Sequence, residues 1–448
     1  MLTGKENLRQ LIELLSQQNT DLLHAIQLNA RLAKQRRKAA PIPTRKMTVT
    51  TTSSLPPSRT NVREISRILY EGICATNVCT CHDLSLQLGV IPQSTTAPSP
   101  SFDEKSFSFM LTKSLPPSQE GCGKRLVECT PLTVRPEKQP LLPYSKGSNP
   151  ETKRVCIAFQ GPDVQLYSQP TLPGPSTNTY SRRMVIKNLC ELCTEPHSTL
   201  EPIGIIVSTE RVPSAEIYQH LVFYPGISPS AAAPTFRSSL DEHLPNRTML
   251  SMEARLRLAT VLAYSLLDFG SYETSWFPDH WRSKDITFFH PLQQTEVTYS
   301  DQSDEDASLI PFITPSFPRQ RPSKATLKSE HTPPTAFPSP ARNERLFSLA
   351  LVLTEIGLEC SLRNIPDPSG LFHSTTDPYA EYFKAKNIVE SYGLQRQMGA
   401  IYARVVKQCF HCDFGIGDAD FTKRDLQMVF YQKVVCELEK CWRKFRGG

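Results

Sequence analysis

Proline sets the outline of this chain. Thirty-eight prolines stand against 19 glycines, and they gather at 41–58, 92–104, 131–150, 161–178 and in the run that ends at Pro340. A proline has no backbone N–H and a fixed φ, so it interrupts helices and central strands alike. Regular elements are therefore expected in the intervals, joined by long irregular connections. With 39% hydrophobic and 21% charged residues among 448, those intervals can still bury a substantial core. No stretch approaches the roughly 18 apolar residues of a membrane span, so insertion in a membrane is not expected. Met1 to Gln18 has no apolar run followed by a small-residue cleavage site, which predicts an intracellular protein.

The intervals carry two kinds of pattern. Residues 5–38 read as one helix, with Leu8, Leu15 and Leu22 seven apart and Leu11, Ala25 and Leu32 on the companion seam. About four heptads is the lower limit for a coiled coil, so this arm is a candidate for self-association. Residues 61–78 predict a helix with Ile65, Ile68, Leu69 and Ile73 on one face. Strands are expected at Asp83–Val90, Phe107–Leu111, Val155–Phe159, Ile203–Val207 and Ile217–Tyr224, the last two paired across Arg211-Val212-Pro213. A short helix is expected at Ile186–Thr194. From Ser251 the text turns helical, with Leu256, Ala259, Ala263, Leu266 and Leu267 inward. A loop with Trp276 and Phe277 follows, then a short strand at Asp285–Phe289. Asn343 is positioned to cap a second strong helix with Leu346, Leu349, Ala350, Leu353 and Ile356 inward. Helices at about 378–392, 395–410 and 425–445 complete the chain, the last burying Phe430, Val434, Leu438, Cys441, Trp442 and Phe445. Strands first and helices after make this an α+β protein.

The charge is local. Of the net +6, all of it falls in residues 1–48, which hold nine basic and three acidic side chains; the rest is balanced. A nucleic-acid-binding body would show a basic face of its own, so nucleic acid is not an expected partner. Lys34-Gln35-Arg36-Arg37-Lys38 could serve nuclear import, but the favoured reading is a solvated helix end, which leaves the cytoplasm as the expected compartment. The 13 cysteines include Cys79-Thr80-Cys81-His82, Cys190-Glu191-Leu192-Cys193 and Cys409-Phe410-His411-Cys412. These groups lie too far apart for a short zinc module, so they are read as free thiols with no metal.

Three segments resemble parts of a protein-kinase C-lobe. Arg255–Ala263 followed by Trp281–Phe289 resembles its helix and catalytic loop, Arg345–Glu355 its buried helix, and Val405–Phe410 a later helix. With the Cys79–His82 element and the leading helix, the pattern is similar to a fungal domain-of-unknown-function family found beside prion-inhibition and incompatibility-type signalling domains. The resemblance implies a degenerate protein-kinase-like two-lobe fold with an N-terminal helical arm and long Pro-rich disordered insertions. Its parts would be an amphipathic arm at 1–40, a linker at 41–60, a small strand-rich N-lobe-like part at 61–240 and a helical C-lobe-like part at 241–445. A disordered insertion is expected at about 300–342.

The residues that carry kinase chemistry are missing from that frame. Phosphoryl transfer needs a catalytic Asp, two magnesium ligands and a phosphate-binding Lys. If Asp285 stands at the metal-binding Asn position, the catalytic Asp position falls on His280; a slip of one residue makes Asp279 the candidate base. No Asp-Phe-Gly follows at the expected distance, no Gly-rich phosphate loop is present, and Lys187 is the nearest mimic of the strand lysine. Arg345 stands where kinases place an Asp. The expectation is a pseudokinase-like module that binds a protein partner, with no catalytic residues and no cofactor. The alternative is an atypical phosphotransferase or ATP-binding protein using Asp279, His280, Asp285 and an acid from 298–306. Asp279 and His280 would also suit a loop acid–base pair, against the plainer reading of a polar loop beside a buried Trp276.

Overall fold

The computed structural model describes residues 57–76, 81–89, 106–114, 126–138, 185–186, 188–189, 202–207, 218–223, 235–245, 250–271, 274, 276–291, 309–315, 317, 340–365 and 378–446. The chain separates into two units, Met1–Ser54 and Leu55–Gly448. The helical arm expected at 5–38, the strand at Val155–Phe159 and the loops at 92–104 and 161–178 lie outside the described residues.

Eight antiparallel strands form one sheet in the order β2-β1-β8-β7-β6-β3-β5-β4, and β2 also pairs with β3. The strands are β1 His82–Gln87, β2 Phe107–Ser114, β3 Leu126–Lys138, β4 Gly204–Val207, β5 Tyr218–Phe223, β6 Thr235–Ser239, β7 Ile286–Pro291 and β8 Phe312–Ile313. The extra pairing closes β2, β1, β8, β7, β6 and β3 into a ring, from which β5 and β4 extend beyond β3. A closed ring leaves no exposed row of unpaired backbone groups around its circumference. The alternation of Leu84, Leu86 and Leu88 holds, and all three are buried. The strands expected at 203–207 and 217–224 pair as β4 and β5, with Ile205 opposite Leu221.

Three strands depart from expectation. β3 runs through Pro131 and Pro136, in text expected to be a loop at 131–150. Pro131 pairs only with Met110 of β2, and Pro136 only with His220 of β5. Each proline thus sits where one edge of β3 has no strand partner among the described residues, so its missing N–H costs no ladder bond. β6 has no alternation and was not expected. β8 lies inside the stretch expected to be a disordered insertion at about 300–342. It is only two residues long, yet Ile313 pairs with Leu86 on one side and Ile286 on the other. The Leu88 amide extends this junction by donating to the Pro311 carbonyl at 2.8 Å. The expected helix at Ile186–Thr194 begins instead with a bridge, Val185 pairing parallel to Ile205. Residues 190–194 lie outside the described residues.

The helices are α1 Pro57–Ala75, α2 Leu240–His243, α3 Met252–Phe269, α4 Glu344–Leu358, α5 Pro378–Glu390, α6 Gly393–Met398, α7 Ala400–His411, α8 Arg424–Phe430 and α9 Cys436–Arg446. α1 takes in the end of the expected linker because Pro57 suits a first helical position, where its missing N–H would be unpaired in any case. Ser251 accepts from the Ala254 amide and Asn343 from the Leu346 amide, so both expected caps form. The helix expected at 395–410 is two, broken at Gly399, whose φ of 87° favours glycine. The last expected helix holds as α8 and α9 joined by a π turn at Tyr431–Val435. Its end differs: Phe445 is 52% exposed, and Cys441 and Trp442 are only partly buried.

α3 and α4 cross at the centre, with Leu256, Ala263, Leu267, Leu346, Leu349 and Leu353 all buried. Arg255 of α3 ties them, pairing with Glu359 at 3.2 Å just beyond α4. One contiguous apolar core runs from Ile65 of α1 through the ring strands to Leu438 of α9.

Candidate functional site

The loop 276–285 is set by aromatic burial. Trp276, Phe277 and Trp281 are fully buried. Trp276 donates to the Ser66 carbonyl of α1 at 3.0 Å and meets the rings of Tyr70, Phe109, Phe269 and Phe317. Two buried indoles anchor the ends of a short polar segment, Pro278 to His280, which is pushed outward between them.

α4 supports that segment from below. Arg345, with 4% of its side chain exposed, donates from Nε to Asp279 Oδ1 at 3.1 Å and from Nη2 to the Thr274 carbonyl at 3.5 Å. Ser348, one turn on, donates to the Asp279 carbonyl at 3.2 Å. Arg282 donates to Ser348 Oγ at 2.9 Å and makes a two-pronged pair with Glu381 of α5, at 3.1 and 2.8 Å. Its guanidinium also lies over the Phe347 ring. A planar fork on a carboxylate fixes geometry as well as charge.

The three candidates from the sequence occupy one loop but do different local work. Asp279 is 57% exposed and neutralises buried Arg345. His280 is 63% exposed, with Nδ1 3.2 Å from Glu344 Oε2. Asp285 accepts from the Arg282 amide at 2.8 Å and closes the 3-10 turn Ser283–Asp285. Asp279 and Asp285 therefore each answer to a structural cation or amide. Lys187, the expected lysine mimic, lies outside the described residues.

Two polar groups near this loop had no signal in the sequence. Glu355, two turns along α4 from Ser348, is buried and accepts from the Leu362 amide at 2.8 Å. Burial pushes its carboxyl up to about 6, partly offset by the Leu362 amide and by Ser283. The second is a cluster of Ser238, His243 and His290. Ser238 Oγ lies 2.7 Å from His243 Nε2 and 3.0 Å from His290 Nε2. Burial, then the neighbouring His290, lowers the His243 pKa, against a smaller opposing effect of Glu242. A histidine 52 residues away in sequence cannot be paired with a serine by spacing alone; the β6–β7 register makes the pair.

The cysteine groups separate. Cys81 Sγ lies 3.2 Å from His82 Nδ1. Cys79, Cys190 and Cys193 lie outside the described residues. Cys409 and Cys412 are buried at the C-terminal end of α7, and burial raises both thiols. That end of a helix carries negative dipole, the opposite of what activates a thiolate. Among the described residues no three His, Cys, Asp or Glu side chains converge as metal ligands.

An Asp-Phe-Gly triplet exists at Asp413-Phe414-Gly415, after α7 and far from the distance expected behind Asp285. It forms a buttressed turn. Lys433 donates to the Phe414 carbonyl at 2.8 Å, and Phe414 is buried. Arg342 and Asn343 donate to the carbonyls of Gly417 and Ala419.

These features define an α+β protein whose helical pair α3–α4 carries a braced polar loop. The chain belongs to the family described as Domain of unknown function (DUF7580), which matches residues 58–445. No curated protein and no solved structure matches it. No helix among the described residues is long and apolar enough to cross a membrane.

Proposed function

We propose that this chain is a protein-binding or signalling module on a degenerate kinase-like scaffold, without phosphotransfer. The observation that carries the reading is the use made of the loop acids. Arg345 holds Asp279 Oδ1 and the Arg282 amide holds Asp285 Oδ2, which supports a structural rather than a catalytic use of both carboxylates. The scaffold part rests on order. The segments that resemble a kinase C-lobe fall on α3, on the 3-10 turn with β7, on α4 and on α7. Arg345 braces the loop where kinases place an Asp, so the brace has opposite charge and its partner is an acid.

The test is phosphate transfer and thermal shift with ATP and magnesium, on the parent protein beside Asp279→Asn and Asp285→Asn. The expected result is no transfer and no stabilisation by nucleotide in any of the three. Transfer by the parent that either variant abolishes would overturn this reading in favour of an atypical phosphotransferase.

A further inference from the structure

Ser238 sits on β6, His243 on the short helix α2 and His290 on β7. α2 is the connection between the sheet ring and α3, and His243 is what faces the ring from it. His243 packs edge-on against Phe288 of β7, with ring centroids 5.2 Å apart, and lies 5.5 Å from the His290 ring. Ser238 and His243 are buried.

Counting protons limits what this cluster can hold. A hydroxyl has one proton to give and two lone pairs to receive. With both imidazoles neutral, the hydroxyl donates to one Nε2 and accepts from the Nε2–H of the other, and every group is satisfied. A first added proton can go to the Nδ1 of the ring that already donates, which leaves this arrangement intact; a second turns the accepting Nε2 into a donor. The hydroxyl then faces two N–H groups, and its own buried proton has no acceptor in the cluster. A half-buried imidazolium also stands beside a second one.

We propose that Ser238, His243 and His290 form a proton-operated latch, which docks α2 on the β6–β7 pair while at least one imidazole is neutral and releases it when both are protonated. Among the described residues, the acidic groups on the elements around it are engaged elsewhere. Asp241 accepts from Ser283 and Glu242 from Ser239. Arg237 of β6 pairs with Asp83, and Asp285 of the 3-10 turn accepts from the Arg282 amide. Lys284 of the same turn is exposed and adds positive charge. Of these neighbours, Glu242 acts on His243 in favour of the proton and His290 against it, as does burial, so release is expected below the ordinary histidine range.

The experiment follows hydrogen-exchange protection of the Leu240–Leu244 amides in the full chain between about pH 7 and pH 5, the range in which histidine charge changes. Protection is expected to fall by about tenfold at these amides and not in α4. His243→Gln and His290→Gln keep an uncharged group near the Nε2 position, and each should remove the pH dependence while the chain stays folded. Imidazole titration by NMR in the parent gives a readout independent of the variants, and the loss of protection should follow the protonation of the second ring. Constant protection in the parent, or an undiminished fall in both Gln variants, would overturn the latch. Zinc is the control for the competing use of two convergent imidazoles. Thermal stabilisation by zinc that both variants abolish would make this a metal site instead.

Discussion

The helical centre and the strand ring are held by different means. α3 and α4 touch each other and are buried along almost their whole length, α3 chiefly against α9 and α1 and α4 chiefly against α7, and their N-terminal ends are fixed by local caps at Ser251 and Asn343. The ring closes through three junctions of only two residue pairs each, β1 with β8, β8 with β7 and β3 with β6. Their buried polar groups differ too. Glu355 in the helical centre is held on one oxygen by the Leu362 amide, with its other oxygen unpaired, whereas neither ring nitrogen of His220, fully buried on β5, makes a hydrogen bond of good geometry. Stability in the first region is local and redundant. In the second it depends on topology, and on which single residues the closure brings together.

The largest expected effect tests whether these regions are separate at all. Leu349 of α4 is fully buried, so Leu349→Ala should cost about 2–5 kcal/mol. Because one apolar core runs through both regions, urea unfolding should remain a single transition that shifts as a whole. Two transitions, with the ring surviving the first, would divide the molecule where the comparison does.

The same difference explains what could be read in advance. α3, α4 and their caps are written in residues three and four apart, and the inward positions were legible one by one. β1 was legible from alternation, and β2, β4, β5 and β7 as short runs rich in apolar and β-branched residues. β3 was hidden because Pro131 and Pro136 argue against a strand unless one knows which edge is unpaired. β8 was hidden because two residues, Phe312 and Ile313, carry no period. For the candidate site, Asp279, His280 and Asp285 share one loop as their spacing implies, but the partners Arg345 and Glu344 come from tertiary contact. Ser238, Glu355 and His220 gave no local signal.

The next largest effects separate the two regions by the sign of their pH dependence. Burial lowers the His220 pKa from 6.5 to about 4, with a small opposing effect of the Ile65 backbone. The folded state thus resists a proton that the unfolded chain accepts, and stability is lost as pH falls through that window. His220→Leu should remove this loss, worth about 3 kcal/mol at the acid end. Burial raises Glu355 from 4.5 to about 6, the opposite case. The folded state holds a proton that the unfolded chain has released, so stability falls as pH rises between these values. Glu355→Gln should flatten that decline and leave the protein about 2 kcal/mol more stable near neutral pH, with little difference below about pH 4. Thermal unfolding across the pH range checks both, and equal slopes in parent and variants would remove these groups from the account.

The smallest effect bears on function. Asp279 is more than half exposed, so its attraction to Arg345 is screened, yet the Arg345 side chain itself is buried. Removing the carboxylate charge replaces one partner of that guanidinium by the weaker carbonyl of Asn. Asp279→Asn should therefore cost about 1–2 kcal/mol, less than a fully buried pair would, because water reaches the acid side. Arg345→Met removes both the charge and the need for its partner, so in that background Asp279→Asn should cost close to nothing. A double-mutant cycle measures this coupling directly. If Asp279→Asn costs as much without Arg345 as with it, the acid is not there to neutralise the arginine, and the strongest argument against its being a general base is gone.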